Sequence, residues 1–254
     1  MSDGPVFRLS ALVVVHNEEA QLADCLDRLS FADEIVVVLD RCSDRSAEIA
    51  RRFTDRLLVG AWPIEGERRN GGIAACRGAW ILEVDADERV PPALAEEICR
   101  TIAAAGPGHF LIPFDNYIGA RLVRYGWGGS WGVSAAPRLF SRGAKAWGLQ
   151  RIHPTVALSG PKRRLSEPMV HYVDRNISDM LARLDRYSTA RARDLRASGD
   201  IGSLGRNVRR LFTRFFKCYV QRRGYREGAW GLLIALFAGL YPLLAHLKAR
   251  LESE

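Results

Sequence analysis

Three clusters of polar residues could together bind a metal ion and a phosphate-bearing ligand. They read His16-Asn17-Glu18-Glu19, Asp40-Arg41-Cys42-Ser43-Asp44 and Asp85-Ala86-Asp87-Glu88, and each follows or ends an apolar stretch. Carboxylates gathered at a ligand-binding edge must be neutralised, and a hard divalent cation does this well. In an extended segment, the Asp-x-Asp spacing puts both side chains on the same side. The pattern therefore favours Mg²⁺ or Mn²⁺ holding a diphosphate near Asp85 and Asp87.

Strand and helix patterns that alternate along the first 105 residues predict the scaffold for these acids. Continuous apolar runs predict strands buried on both faces, and apolar residues at helical spacing predict the helices between them. Four alternations predict a parallel α/β sheet, in which ligands bind beyond the carboxyl ends of the strands. The predicted strands are 9–15, 34–40, 56–60 and 79–85, and the predicted helices include 66–77 and 91–105.

The pattern changes twice in the rest of the chain. Short strand signals and glycine-rich loops fill residues 106–175, and the chain is predicted to be helical from about residue 176 to its end. We therefore expect an α/β half over 1–105, a mixed β segment of the same domain over 106–175, and a helical tail over 176–254.

The charge is distributed unevenly along the chain. Residues 1–100 contain 12 Lys and Arg against 19 Asp and Glu, whereas the remaining residues contain 25 against 10. An acidic catalytic half joined to a basic, surface-binding half would show this asymmetry, whereas a uniformly basic nucleic-acid binder would not.

Five cysteines without a Cys-x-x-Cys spacing indicate a reducing compartment. The N-terminal sequence does not have the pattern of a secretory signal, so we expect a cytoplasmic protein.

Two common phosphate-binding motifs are missing from the sequence. No Gly-x-Gly-x-x-Gly follows the first predicted strand, and no Gly-x-x-x-x-Gly-Lys-[Ser/Thr] occurs. A dinucleotide site or a P-loop would therefore lack its glycine cradle. A metal would then have to balance the phosphate charge, in agreement with the Asp-x-Asp.

The sequence resembles the family 2 glycosyltransferases of the GT-A fold. The resemblance lies in VVVHNEEAQLADCLDRL, EIVVVLDRCSDRSAEIA, GERRNGGIAACRGAWILEVDADERV and PRLFSRG. The stretch from GWGGSW to YREGAWGLLIALFAGLYPLL is similar to the lipopolysaccharide-core glucosyltransferase branch. The resemblance implies a Rossmann-like, mostly parallel sheet flanked by helices. It also implies a metal-assisted, inverting transfer from a nucleotide-diphosphate sugar, with a UDP-sugar expected, to a lipid-linked or cell-envelope glycan.

The resemblance also implies which residues bind the donor nucleotide. In the family, the end of the first strand and the acid after the second strand hold the base and ribose, and a following helix contacts the nucleotide. Residues 1–105 would then be the nucleotide-sugar-binding half. The matching positions are His16, Glu18 and Asp40 at the strand ends, and Arg69 and Asn70 on the helix.

The Asp-x-Asp motif and the mixed β segment match further family positions. Asp85 is expected toward the ribose and the metal, and Asp87 toward the metal and the diphosphate, where it would take part in catalysis. Residues 106–175 are expected on the acceptor side, with Trp131 among them.

The sequence departs from the family pattern where the catalytic base is expected. Relatives usually carry a tryptophan followed by aromatic-Pro-Asp, and later Val-His-Glu, whereas here Trp131 precedes GVS and the later motif reads IHP. An inverting transfer needs a base for the acceptor hydroxyl. His153 could serve or could be structural, and Asp115 and Glu167 are weaker candidates. Because Pro154 replaces the usual acid, the alternative is a non-catalytic or altered glycosyltransferase-like membrane-binding protein.

The helical tail combines a basic amphipathic segment with an uncharged one. At 100° per residue, seven apolar residues between Leu204 and Tyr219 fall within about 140°, opposite most of the basic residues. Residues 228–247 carry no charge and approach the length of a bilayer span, but Gly231, Gly239 and Pro242 interrupt them. Packing on the core would also explain the amphipathic helix. We expect interfacial or re-entrant attachment to the anionic inner face of the cytoplasmic membrane, which would suit a lipid-linked acceptor.

Two other classes of protein fit the sequence less well. A metal-dependent nucleotidyltransferase should carry a glycine- and lysine-rich loop after the first strand, where this chain reads HNEEAQL. Nucleic-acid binding through the tail predicts aromatic and basic residues interleaved on one face. Here they lie on opposite sides of the predicted helix, so we expect no nucleic-acid partner.

Overall fold

The computed structural model describes residues 8–128, 131–149 and 155–252, which belong to two compact units. The first unit consists of Met1–Phe114 and Ala135–His171, and the second of Asp115–Ser134 and Tyr172–Glu254. Residues 115–134 of the sequence-predicted mixed β segment thus belong to the same unit as the helical tail.

The first unit begins with the predicted alternation of strands and helices. Strands β1 to β4 are parallel and lie in the order β3-β2-β1-β4. All seven residues of β1 are buried, as expected for an apolar run covered on both faces. Strand bounds agree with those predicted to within one residue. The elements are β1 Leu9–Val15, α1 Leu22–Asp27, β2 Glu34–Asp40, α2 Ser46–Ala50, β3 Leu57–Gly60, α3 Glu65–Ala75, β4 Trp80–Asp85, β5 Glu88–Arg89 and α4 Pro92–Ala104.

Further strands extend the sheet beyond β4, and they pair antiparallel except for β11, which is parallel to β6. The full order is β3-β2-β1-β4-β8-β6-β12-β5, with β7 and β11 pairing with β6, and β9 and β10 forming a separate hairpin. β12 runs antiparallel to β5, and the register puts His171 opposite Glu88. The α/β class with a helical C-terminal tail is confirmed. The added strands are β6 His109–Ile118, β7 Arg121–Val123, β8 Ala135–Ser141, β9 Lys145–Trp147, β10 Val156–Leu158, β11 Lys162–Arg164 and β12 Met169–Asp174.

Apolar layers cover both faces of the sheet in the first unit. Alternate residues of β1 point to opposite faces, so Val13 and Val15 join one core cluster while Leu12 and Val14 join another. Both faces of the central strands are therefore mostly apolar, with Glu83 of β4 as a buried exception, and most of the other acids of this region lie at the strand ends.

The second unit contains the long helices of the tail, α5 Ile177–Ser198, α6 Leu204–Phe216 and α7 Ala229–Leu251. α7 is the one described helix that is long and apolar enough to cross a membrane, but more than half of its most apolar stretch is buried inside the protein. Gly239 lets α6 approach closely, because a Cβ there would lie 2.7 Å from the Leu211 carbonyl oxygen. More than half of this stretch is thus packed inside the protein, and the attachment of residues 228–247 to a membrane stays a prediction.

Candidate active site

The carboxyl ends of β1, β2 and β4 bring the acidic clusters to one edge of the sheet. β1 lies between the other two, and the register pairs Val14 with both Val38 and Asp85. Asp40, the last residue of β2, and Asp85, the last residue of β4, therefore flank the loop that follows β1. This is the arrangement that the strand order predicts for a ligand-binding edge.

Asp40 is buried at this edge and is held by three donors. Its carboxylate accepts hydrogen bonds from the Arg41 guanidinium, from Arg68 Nη1 at 2.8 Å and from the backbone N–H of Trp62 at 3.1 Å. Burial raises the pKa of Asp40, but these hydrogen bonds and the charge of Arg68 outweigh it and bring the pKa below its ordinary value. Asp40 is therefore an anion, and its place in the donor site stays a prediction.

The loop after β1 is fixed to neighbouring parts of the first unit. His16 Nδ1 lies 2.7 Å from the carbonyl oxygen of Asp40. The backbone N–H of Glu18 donates to Ser46 Oγ at 2.9 Å, and its carboxylate accepts a hydrogen bond from Gln21. Burial, together with the nearby acids, raises the pKa of Glu18. The structure thus brings His16 and Glu18 to the same edge as Asp40.

Arg69 lies within a buried row of alternating charges under this edge. It projects from α3 and donates to Glu83, to Asp85 Oδ1 at 3.2 Å and to Glu65 at 2.9 Å. Glu83 is fully buried and also accepts a hydrogen bond from Lys145. Each charge is balanced by an opposite one, which is what ions removed from water require. The ion pair with Arg69 therefore helps to hold the Asp85 carboxylate in place.

Asn70, the neighbour of Arg69, is paired with the backbone of β9. Its side-chain Nδ2 donates to the Trp147 carbonyl at 2.7 Å, and its Oδ1 accepts from the Trp147 N–H at 2.9 Å. Trp147 also packs under the Arg69 guanidinium, 4.8 Å from ring centre to Cζ. Asn70 thus ties α3 to β9, and the proposed contact of Arg69 and Asn70 with the nucleotide stays a prediction.

Arg138 continues the row of charges from Asp85 to Glu88. One of its guanidinium nitrogens, Nη2, donates to Asp85 Oδ2 and Glu88 Oε1. The other oxygen of Glu88 accepts the backbone N–H of Asp85 at 3.0 Å. Two arginines hold the pKa of Asp85 far below its usual range despite burial, whereas burial raises the pKa of Glu88 to about 7. Both oxygens of Asp85 are therefore engaged by arginines.

Asp87, Glu88 and His171 form a candidate metal centre. One potential ligand atom from each lies within 4.8 Å of the others. His171 Nε2 is 3.4 Å from Asp87 Oδ2, while Asp87 Oδ1 is buried and has no hydrogen-bond partner among the described residues. A buried carboxylate oxygen without a partner is costly unless something binds it. The Asp87 carboxylate and the His171 imidazole, with Glu88 beside them, fit a divalent cation.

The two aspartates of the Asp-x-Asp motif are placed differently. Asp87 belongs to the three-residue group, whereas Asp85 faces Arg69 and Arg138. The group includes Asp87 but not Asp85, and the expectation that Asp87 faces the metal stays a prediction. A direct bond from Asp85 to the metal stays a prediction. The ion pairs with Arg69 and Arg138 hold the Asp85 carboxylate in place.

The acceptor-side and base residues expected from the sequence are Trp131 and His153. Trp131 is fully buried in the second unit, where it packs against Phe237 and lies 4.2 Å below the Arg183 guanidinium. Its role toward an acceptor stays a prediction, and the position shown is one of core packing. His153 lies outside the described residues, so its role as a base also stays a prediction.

The sequence analysis did not identify His171, Arg138 or Lys145. His171 stands between apolar residues in MVHYVD, Arg138 lies inside AAPRLFS, and Lys145 begins the short strand KAW. A charged or imidazole side chain inside a predicted buried strand must have a partner. That signal could have marked these residues, but only the strand pairing shows which acids they meet.

This fold and acidic edge define a glycosyltransferase of the GT-A type, and comparison with known proteins gives the family. The model of glycosyl transferase family 2 matches residues 10–146, more than half of the chain. The chain belongs to that family and is an enzyme of the glycosyltransferase class.

Two curated relatives and one solved structure are similar to the chain. The lipopolysaccharide core biosynthesis glycosyltransferase LpsC of Rhizobium meliloti is 24% identical, with 96% of this chain and 92% of that protein covered. The undecaprenyl-phosphate 4-deoxy-4-formamido-L-arabinose transferase of Pseudomonas paraeruginosa is 32% identical, over 44% of this chain and 36% of that protein. The crystal structure of S. aureus TarS 1-349 matches with a TM-score of 0.42 and 19% identity, over 53% of this chain and 47% of that one.

Proposed function

We propose that this enzyme transfers a sugar, with inversion, from a nucleotide-diphosphate sugar to a lipid-linked or lipopolysaccharide-type cell-envelope glycan. The observation that carries the proposal is a buried oxygen of Asp87, beside Glu88 and His171, that has no hydrogen-bond partner in the described part of the chain. It lies at the edge of the sheet where ligands bind. A diphosphate leaving group needs positive charge opposite it. Because this edge is rich in acids, which repel phosphate, a bound cation would supply that charge.

Asp87 and His171 are the residues that would hold the divalent metal. Glu88 is already engaged by Arg138 and by the Asp85 N–H, so it is better placed to support Asp87 than to bind the ion directly. The imidazole nitrogen favours Mn²⁺ over Mg²⁺, because magnesium prefers oxygen ligands. When bound, the metal would neutralise the diphosphate as it leaves.

The remaining residues of the edge would bind and orient the donor. Glu18 offers an acceptor for hydroxyl groups, with His16 beside it, and Asp40 would have to exchange one of its present donors, such as Arg41, for a hydroxyl of the ligand. Arg69 and Arg138 hold Asp85 in one position, so that its carboxylate does not have to be ordered when the ribose arrives. We assign the removal of the acceptor proton to His153, whose imidazole can accept a proton near neutral pH.

The nature of the acceptor rests on the relatives and on the basic tail. One relative is named for lipopolysaccharide core biosynthesis and another for transfer to undecaprenyl phosphate. Residues 101–254 carry a large excess of Lys and Arg. A lipid-linked acceptor would place the enzyme at the inner face of the cytoplasmic membrane, where anionic headgroups attract such a surface.

A donor screen tests the proposal. The purified chain is incubated with a panel of nucleotide sugars and with Mn²⁺ or EDTA, and the release of nucleoside diphosphate is measured. We expect one donor to be cleaved in Mn²⁺ and spared in EDTA. Equal release under both conditions would contradict the metal-assisted step. Binding of a nucleotide sugar without release, even with a lipopolysaccharide acceptor, would instead support the altered, non-catalytic protein that Pro154 suggests.

A further inference from the structure

A row of apolar side chains on α6 faces solvent in the second unit. Its members follow one another at intervals of four residues, and every one is exposed. Phe212, in the middle of the row, has 65% of its surface accessible. We call this row the α6 stripe: Leu204, Val208, Phe212 and Phe216 of α6, with Val220 of the π-helical turn Lys217–Gln221 that continues the helix.

The α6 stripe is not the side through which α6 packs. The residues that turn inward are Asn207, which is 4% exposed, Leu211, whose carbonyl lies against Gly239, and Cys218 of the following turn. A helix that used its apolar side for core packing would bury Phe212 and expose Asn207. Here the opposite holds, so the core does not explain the stripe.

Basic residues accompany the α6 stripe, and acidic ones are missing from the segment. Residues 201–226 contain eight Lys and Arg and no Asp or Glu. Arg209 and Lys217 directly follow stripe residues, and both are exposed. The surface therefore combines an apolar row with a positive border, as in helices that lie in the headgroup region of a membrane.

We propose that the α6 stripe is a membrane-docking surface whose occupant is an anionic lipid bilayer. The helix would lie parallel to the bilayer plane, with the stripe in the acyl boundary and its bases against the headgroup phosphates. A second copy of the chain is a poorer occupant, because two such faces would bring like charges together. The proposal rests on the proposed function only in that a lipid-linked acceptor would make this attachment useful.

Vesicle flotation of the full chain tests the docking surface without any nucleotide sugar. With phosphatidylglycerol-containing vesicles, we expect the wild-type protein to float and to be released only in part by high salt, which screens the charges but leaves the apolar contact. Phe212→Glu/Phe216→Glu should lower the partition coefficient at least about tenfold. Leu181→Glu is the matched control, since Leu181 is an exposed apolar residue of α5 in the same unit, and it should bind like the wild type.

Circular dichroism shows whether the variants are folded, and sedimentation velocity shows whether the wild type is a dimer. Both variants change exposed residues, so their spectra should match the wild type; if the double glutamate variant is misfolded, Phe212→Ala/Phe216→Ala replaces it, with the same direction of effect expected. Equal flotation of variant and wild type, or none for the wild type, would overturn the proposal. So would a wild-type dimer that the double variant abolishes. Because no donor is present, failure here leaves the donor screen unaffected.

Discussion

Glu83 lies beneath the acidic edge of the sheet, and Glu83→Gln should strongly destabilise the first unit. The side chain is fully buried and accepts hydrogen bonds from Arg69 and Lys145, which are themselves nearly inaccessible. The substitution keeps the shape and removes one negative charge. It leaves two buried cations to share the carboxylates that remain, and Lys145 loses the one carboxylate it contacts among the described residues.

The expected cost follows from this burial. Removing one partner of a buried ion pair costs about 3–5 kcal/mol, because the other partner stays in a medium of low dielectric without compensation. At about 2–4 °C per kcal/mol for a chain of this size, Tm should fall by about 6–20 °C. Glu48→Gln is the matched control. Glu48 forms an exposed pair with Arg52 on the surface, so its loss should change stability by less than about 1 kcal/mol.

The dependence of the unfolding free energy on acidic pH provides a second test of the Glu83→Gln variant. Burial raises the pKa of Glu83, but Arg69 and Lys145 bring it below the ordinary value. The stability that Glu83 contributes is therefore present above its unfolded pKa of about 4.3 and is lost as the pH falls through the lower folded value. The difference between wild type and variant should be constant near neutral pH and shrink in acid.

Thermal and urea unfolding of the variants measure these effects. Glu83→Gln, Lys145→Met and the double variant complete a cycle, and the double variant should be less destabilised than the sum of the single ones by about 0.5–3 kcal/mol. If Glu83→Gln unfolds within about 0.5 kcal/mol of the wild type, the buried row of charges does not hold the edge as described.

Three further predictions concern the donor site, the catalytic base and the metal centre. Asp40→Ala should raise the donor KM with kcat largely kept, because Asp40 is assigned to binding; an unchanged KM in steady-state kinetics would count against this. His153→Ala should lower turnover about 100-fold with nucleotide affinity kept, and normal turnover would make this histidine structural. His171→Ala should weaken Mn²⁺ binding at least about tenfold, as read by titration with the metal alone, and unaltered affinity would remove His171 from the metal site.

Local patterns were enough to predict the parallel strands and the acidic edge. The runs at 9–15 and 34–40 are apolar and rich in β-branched residues, and the observed β1 and β2 have the same bounds. Once the strands are parallel, Asp40 and Asp85 must end at one edge. This part depends on residues close in sequence and on a general rule of sheet topology.

The metal centre and the exposed stripe depend on long-range pairing, which the sequence does not show. His171 reaches Glu88 only because β12 runs antiparallel to β5, more than 80 positions away in the chain. The periodicity of 204–220 predicted an amphipathic helix, but it did not show which side packs. Asn207 turns inward and Phe212 outward because α6 meets α7 at Gly239.

Calorimetric titration of UDP, with and without Mn²⁺, tests whether Asp87 holds a metal that faces the diphosphate. We expect Mn²⁺ to strengthen nucleotide binding to the wild type, and Asp87→Asn to abolish this gain while the fold is kept. Asp27→Asn is the matched control, because Asp27 is an exposed aspartate at the end of α1, and it should keep the full gain. If UDP binds equally in Mn²⁺ and EDTA, or if Asp87→Asn keeps the metal-dependent gain, the assignment of Asp87 to a metal that faces the diphosphate is wrong.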